Sequence, residues 1–160
     1  MQEAEILLKE FSARELTFCA AESCTGGLIG KLITDCAGAS AVFYGSVVSY
    51  ANEVKMRALG VREATLAAHG AVSEETAAEM AEGARRLCGT DIAVSVTGIA
   101  GPGGGSAEKP VGTVCFGIAS QSGTRTERVQ FDGKQTRSEI RTAAAAYAMT
   151  LAIKTAKATK

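Results

Sequence analysis

Ser23 lies between an apolar run, Leu16 to Ala21, and Thr25-Gly26-Gly27, which opens a stretch of helical periodicity. A residue at such a strand-to-helix junction stands beside backbone amides that have no partner inside the helix. Its hydroxyl can attack a carbonyl carbon while amides such as those of Thr25 and Gly26 stabilise the tetrahedral intermediate. The residue type fits an ordinary helix cap as well, and both readings stand. Cys24 is a rival nucleophile, although a thiol needs a His or basic neighbour to lower its pKa.

A serine nucleophile needs a base, and the chain has one histidine. His69 precedes Gly70 at what reads as a helix end, where an imidazole beside the C-terminal dipole needs no catalytic role. The alternative base is a lysine whose pKa, ~10.4 in water, is driven down by burial or positive neighbours. Lys55 closes the segment Ser49-Tyr50-Ala51-Asn52-Glu53-Val54-Lys55, in which Tyr50 and Asn52 can supply hydrogen bonds. Spacing alone favours a solvated lysine on a helix face.

Arg137 and Arg141 share one face of a helix, with Arg137 in its first turn. A cation there opposes the macrodipole at a cost of about 0.3–1 kcal/mol, unless an anion sits between guanidinium and helix. That points to a clamp for phosphate or carboxylate, solvation of both arginines being the other reading. Residues 98–106, Gly-Ile-Ala-Gly-Pro-Gly-Gly-Gly-Ser, cannot form regular structure. They fail the dinucleotide fingerprint, because the third glycine is missing and a strand rather than a helix follows Pro110. A Walker loop fails too, since no Lys-Ser/Thr follows Gly103. What remains is a loop whose amides can line a ligand, with Thr97, Gly98, Gly101 and Gly103 as candidates, or a plain surface connection. The cysteines and carboxylates show no metal-ligand spacing, and neither metal nor cofactor is expected.

Those residues must be positioned by the elements around them. Ala4, Leu7, Leu8 and Phe11 predict an amphipathic helix over the first dozen residues. Leu16–Ala21 predicts a strand, Leu28 to Cys36 a helix ending at Gly38, Val42–Tyr50 a strand and Ala51–Leu59 a helix. Ser73-Glu74-Glu75 reads as a capped helix start with Gly89 as its stop, and Ile92–Val96 as a strand. Val111–Ala119 and Arg125–Phe131 form a hairpin through Gln121-Ser122-Gly123. Thr136-x-x-Glu139 is a capping box before an alanine-rich helix ending among Lys154, Lys157 and Lys160. Together they predict an α/β protein, a three-layer α/β/α single domain over residues 1–160 with a mixed, mostly parallel sheet. In such sheets ligands gather where strand ends lead into loops, here after Ala21 and after Val96.

The 160 residues fit one domain, and 46% apolar with 21% charged residues is the composition of a folded protein. Seventeen basic and seventeen acidic residues cancel, and eight aromatics without Trp offer no stacking platform, so nucleic acid is not expected as a main partner. The longest nearly apolar stretch, Ala143–Ile153, falls short of the ~20 residues that span a bilayer. An acidic start, Met1-Gln2-Glu3-Ala4-Glu5, is unlike a signal peptide, and five cysteines without a C-x-x-C pair suit reduced thiols in the cytoplasm.

Ala21-Glu22-Ser23-Cys24-Thr25-Gly26-Gly27, then Ser49 through Lys55, then Thr97-Gly98-Ile99-Ala100-Gly101-Pro102 through Lys109-Pro110-Val111-Gly112, resemble in order the motifs of the CinA carboxy-terminal domain family. The resemblance covers nearly the whole chain. It implies a three-layer α/β/α fold and hydrolysis of nicotinamide mononucleotide to nicotinic acid mononucleotide and ammonia, a step in pyridine nucleotide recycling. It also implies Ser23 as nucleophile and Lys55 as general base without a metal, with Tyr50 assisting proton transfer or orienting the lysine. Arg137, in Arg137-Ser138-Glu139-Ile140-Arg141, would serve the substrate phosphate or the catalytic centre; Arg141 enters as a phosphate ligand only through the two-arginine clamp. The loop from Thr97 to Gly104 would line the pocket. The family commonly has a shorter Gly-Asp link where this chain has Gly133-Lys134-Gln135-Thr136. Longer members carry an additional amino-terminal domain resembling molybdopterin-binding proteins, whose activity is not expected of this chain. Family habit suggests a homodimer. The competing reading is a non-catalytic nucleotide-binding regulatory module.

Overall fold

The computed structural model describes residues 2–159, so the expectations that touch Met1 and Lys160 lie outside the described residues. The element order is α1 (Gln2–Ser12), β1 (Phe18–Glu22), α2 (Leu28–Thr34), a 3-10 turn (Ala39–Ala41), β2 (Phe43–Val48), α3 (Asn52–Leu59), α4 (Glu63–His69), α5 (Glu74–Cys88), β3 (Ile92–Gly98), β4 (Thr113–Ser120), β5 (Gly123–Gln130) and α6 (Arg137–Ala158). The strands form one sheet in the order β2-β1-β3-β4-β5. β1 pairs in parallel with both β2 and β3, while β4 runs antiparallel to β3 and β5. Four strands therefore point one way and β4 alone points back, which is the mixed, mostly parallel sheet that the sequence predicts.

Alternation along the central strands sorts the side chains into two layers. Phe18 and Ala20 of β1 and Ile92, Val94 and Val96 of β3 join the core formed with α1, α2 and α6. Cys19, Ala21 and Ala93 face the other way, toward Leu59 of α3 and Met80 and Ala84 of α5. On that second face the side chains are small, and α5 lies close to the sheet. Ser95 Oγ donates to the Ala77 carbonyl at 2.5 Å, and a Cβ on Gly117 would stand 2.2 Å from the same oxygen.

Several boundaries differ from expectation for local reasons. α2 stops at Thr34, because an i→i+3 bond from the Cys36 amide to the Ile33 carbonyl tightens its end before Gly38 turns at φ 84°. β4 begins at Thr113 instead of Val111, since Gly112, at φ 93°, donates its amide back to Ile99. The hairpin turn is two residues, because Gly123 already pairs with Ser120. Among the described residues no helix is long and apolar enough to cross a membrane.

Candidate active site

The C-terminal ends of β1, β2 and β3 meet in the parallel part of the sheet, with Glu22 opposite both Val48 and Val96. Pairing continues one residue past β1, where the Ser23 amide donates to the Val96 carbonyl at 2.9 Å. The period of two sends Glu22 toward α2 and Ser23 toward α3. Ser23 is 9% exposed. It lines a cleft of about 270 Å³ with Cys24, Tyr50, Lys55, Thr97, the Ala71-Val72 segment, the glycine loop and Arg137.

Lys55 is 1% exposed, on the buried face of α3 one turn before Leu59. Its Nζ lies 3.0 Å from Ser23 Oγ and donates to the carbonyls of Ser49 at 2.8 Å and Tyr50 at 3.2 Å. Burial holds its pKa below the ordinary lysine value, opposed only by the nearby Cys24 thiol. The tetrahedral nitrogen makes the geometry informative. A neutral amine has two hydrogens and one lone pair, and with the hydrogens on the two carbonyls the lone pair faces the serine hydroxyl. The loop between β2 and α3 thus orients the Lys55 amine through its main chain.

The α2 N-terminus offers fewer free amides than the sequence suggests. The buried Glu22 carboxylate accepts from the amides of Gly27 at 3.0 Å, Ile29 at 3.1 Å and Gly30 at 3.0 Å, and from Ser46 Oγ at 2.6 Å. The Gly26 amide is engaged as well, with the Ser23 carbonyl at 3.0 Å, which removes it as an oxyanion donor. An anion before a helix start is favoured by the dipole, so the acidic residue preceding Ser23 and the two glycines after it were the signal for this role. Among the described residues, amides that donate to no protein acceptor include that of Thr25 in the serine turn and those of Ala100, Gly101, Gly103 and Gly104, which line the cleft.

Thr97 Oγ1 donates to the Ala71 carbonyl at 2.7 Å, fixing the wall that leads into α5. At Gly98 a Cβ would meet Val114 Cγ2 at 2.7 Å, and Gly101 combines φ 75° with a 2.6 Å approach to Val111, so both glycines are required by backbone packing. A Cβ on Gly103 would meet nothing, which leaves the loop tip open. Arg137 does not hang free at the helix start: Nη1 donates to the Gly101 carbonyl at 2.7 Å and Nη2 to Tyr50 Oη at 2.9 Å. Tyr50 is 62% exposed, and its hydroxyl faces Arg137 while its carbonyl faces Lys55. Thr25, Gly26 and Arg141 do not line the cleft. Arg141 lies behind the serine turn, where Nε donates to the Cys24 carbonyl at 3.0 Å and Nη2 to that of Thr25 at 2.7 Å.

Burial pushes the Cys24 thiol up to about 12, the opposite of what a thiolate nucleophile needs. His69 ends α4 beside Glu75, with Nδ1 3.5 Å from its carboxylate, and does not line the cleft. No three His, Cys, Asp or Glu residues gather as a metal site among the described residues.

Comparison with known proteins places the chain among relatives of the same fold. The family model of the CinA C-terminal domain matches residues 1–156. The chain is 51% identical over 150 residues to the nicotinamide-nucleotide amidohydrolase PncC of Escherichia coli K12, covering 93% of this chain and 90% of that protein. It is 61% identical over 110 residues to a CinA-like protein of Chloroherpeton thalassium, covering 69% of this chain but only 26% of that longer protein. The chain spans 35% of the length of another such relative, from Caldanaerobacter subterraneus. Two crystal structures superimpose closely: competence/damage inducible protein CihA from Agrobacterium tumefaciens, with TM-score 0.92, 42% identity and 96% and 93% of the two chains covered, and ComA from Klebsiella pneumoniae, with TM-score 0.94, 33% identity and 99% and 98% covered. The strand-end serine, the buried lysine and the glycine loop thus stand in a fold shared along almost its full length, and the chain belongs to the CinA C-terminal domain family.

Proposed function

We propose that this protein is an amidohydrolase that converts nicotinamide mononucleotide and water to nicotinic acid mononucleotide and ammonia, with Ser23 as nucleophile and Lys55 as general base. The observation that carries the reading is the 3.0 Å contact between Ser23 Oγ and the Nζ of a buried lysine that two main-chain carbonyls orient. The reaction named for the E. coli relative supplies the substrate.

Neutral Lys55 takes the hydroxyl proton as Ser23 Oγ forms a bond to the carboxamide carbon. The negative charge on the carbonyl oxygen meets amides of the glycine loop, where Ala100, Gly101, Gly103 and Gly104 have donors to spare. The Lys55 ammonium returns its proton to the leaving nitrogen, the C–N bond breaks, and ammonia departs. Water then gives a proton to Lys55 as its oxygen attacks the ester, the ammonium returns that proton to Ser23 Oγ as the C–O bond breaks, and the acid product leaves and ionises to the carboxylate in solvent. Serine and lysine carry every proton in this scheme, which calls for no metal or cofactor. Thr97, Gly98, Gly101 and Gly103 shape the pocket for the pyridine ring. Arg137 ties Tyr50 to the glycine loop and turns its remaining donors to the nucleotide phosphate.

Ammonia release from nicotinamide mononucleotide, in buffer containing a chelator, tests the reading with Ser23→Ala and Lys55→Met beside the unaltered chain. Activity confined to the unaltered chain is expected. Saturable binding without ammonia release by any of the three would instead assign a nucleotide-binding module. We further place the protein in the cytoplasm as a homodimer acting on a small nucleotide, away from nucleic acid and membrane; its zero formal net charge supports the last point. Light scattering on the purified chain tests the dimer, and a monomer mass removes it.

A further inference from the structure

The turn that carries Ser23 and the helix start that follows it are held by two ionisable side chains that do not line the cleft. Both oxygens of the fully buried Glu22 are engaged, Oε2 with the Gly27 and Ile29 amides and Oε1 with the Gly30 amide and Ser46 hydroxyl. Arg141 reaches across from α6 to two successive carbonyls, Cys24 at 3.0 Å and Thr25 at 2.7 Å. The anion thus holds amides at the start of α2, and the cation holds carbonyls of the turn itself. Both are charge-assisted hydrogen bonds, shorter and stronger than neutral ones. Between them the chain has little freedom: Ser23 is bonded to β3 through its amide and to Gly26 through its carbonyl.

We propose that Glu22 and Arg141 are positioning residues that together fix the Ser23 turn, and that Arg141 is a clamp on the main chain instead of a ligand for the substrate phosphate. The inference rests on the reading of Ser23 as nucleophile. Two of the Arg141 donors are aimed at carbonyls behind the serine, and a Cβ on Gly26 would stand 3.4 Å from Nη2, so guanidinium and turn pack directly together. A small shift of the turn changes the approach of Oγ to both its base and its target, and misplacement of about 1 Å can lower a rate by about 10²-fold.

A positioning role and a phosphate-binding role differ in what they do to KM and to a reaction without phosphate. The test measures kcat and KM for nicotinamide mononucleotide with Arg141→Met, Arg141→Lys and Glu22→Gln, with thermal melting as a check on folding. It also measures the rate at which a small uncharged sulfonyl fluoride labels Ser23, forming an S–O bond as fluoride leaves and Lys55 takes the proton. For Arg141→Met the expected result is a kcat lower by about 10- to 100-fold, KM within about twofold, and labelling slowed by a similar factor. Lys can reach one of the two carbonyls, so Arg141→Lys recovers part of the loss. Glu22→Gln slows kcat and labelling together, because whichever way its amide is turned, an NH2 group faces at least one α2 amide. A KM raised about tenfold or more with kcat and labelling unchanged would assign Arg141 to phosphate and overturn the clamp. Unchanged values for all three variants would overturn it as well. If Arg141→Met fails to fold, the Lys and Gln variants carry the same comparison. Full deamidation by Ser23→Ala would sink the nucleophile assignment instead, and the labelling rate would still report on the clamp.

Discussion

At the scale of single residues, Ser23 and Cys24 are chemically distinct neighbours. Ser23 Oγ has the Lys55 amine at 3.0 Å, whereas burial pushes the Cys24 thiol up to about 12 and leaves it protonated in neutral solution. Cys24→Ala is therefore expected to keep kcat/KM within about fivefold of the unaltered chain in the ammonia assay, because it removes no proton acceptor. Loss of activity comparable to that of Ser23→Ala would transfer the nucleophile to the thiol. Lys55 sets the pH dependence. Its charged form cannot accept the serine proton, so activity should rise with pH as the ammonium deprotonates, with a midpoint below the ordinary lysine value of 10.5. Lys55→Arg keeps the charge and is inactive at every pH, since guanidinium does not deprotonate in proteins. An acidic limb that persists in this variant with substantial activity would remove Lys55 from the proton transfer. The residue types and their order were readable from sequence, but burial was not: Lys55 sits at i−4 to Leu59 on a buried stripe, a spacing equally natural for a solvated lysine.

At the scale of elements, the two helix starts near the site are held in different ways. α6 has a local capping box, with Thr136 Oγ1 accepting from the Glu139 amide and the Glu139 carboxylate accepting from the Thr136 amide at 2.7 Å. This motif lies within four consecutive residues and was legible in the sequence. Thr136→Ala should destabilise the protein by about 1 kcal/mol in a urea melt. It should also loosen the turn that aims Arg137 at Gly101 and Tyr50, lowering activity by more than the stability loss alone would do. A stability change within error would mean that the cap contributes nothing to this helix. α2 instead takes its anion from Glu22 on the preceding strand, and Gly27 at its N-cap has φ 94° with no side-chain cap of its own. Sequence reading placed the turn and named the Thr25 and Gly26 amides for a substrate; the Ser23 carbonyl takes that of Gly26, and nothing in local spacing says that a strand side chain folds over to satisfy the helix amides beyond them. The same limit applies to Arg141, whose carbonyl partners are 116 and 117 residues away in the chain.

At the scale of the whole molecule, the alternation of helices and strands specified a layered sheet, and the strand order places the ends of β1, β2 and β3 together at the cleft. That arrangement carries a stability cost concentrated in Lys55, whose ammonium is desolvated without a carboxylate to offset it. The unfolded chain holds the Lys55 proton up to the ordinary value of 10.5, whereas the folded chain releases it at lower pH. Between those two values the unfolded state binds more protons, so this group makes stability rise with pH across the window. Below the folded pKa the lysine is charged in both states and the full desolvation cost stands; above 10.5 it is neutral in both and the proton-linked cost is gone. Lys55→Met removes this titration while leaving the other groups in place, and the Cys24 thiol, near about 12, stays protonated through most of the range. The stability of Lys55→Met relative to the unaltered chain, measured by urea unfolding from about pH 6 to about pH 10.5, should therefore be most favourable at the acid end and decline as pH rises. A difference that is flat in pH, or that grows as pH rises, would mean that the folded protein does not depress this lysine, and the neutral base at the centre of the mechanism would lose its physical cause.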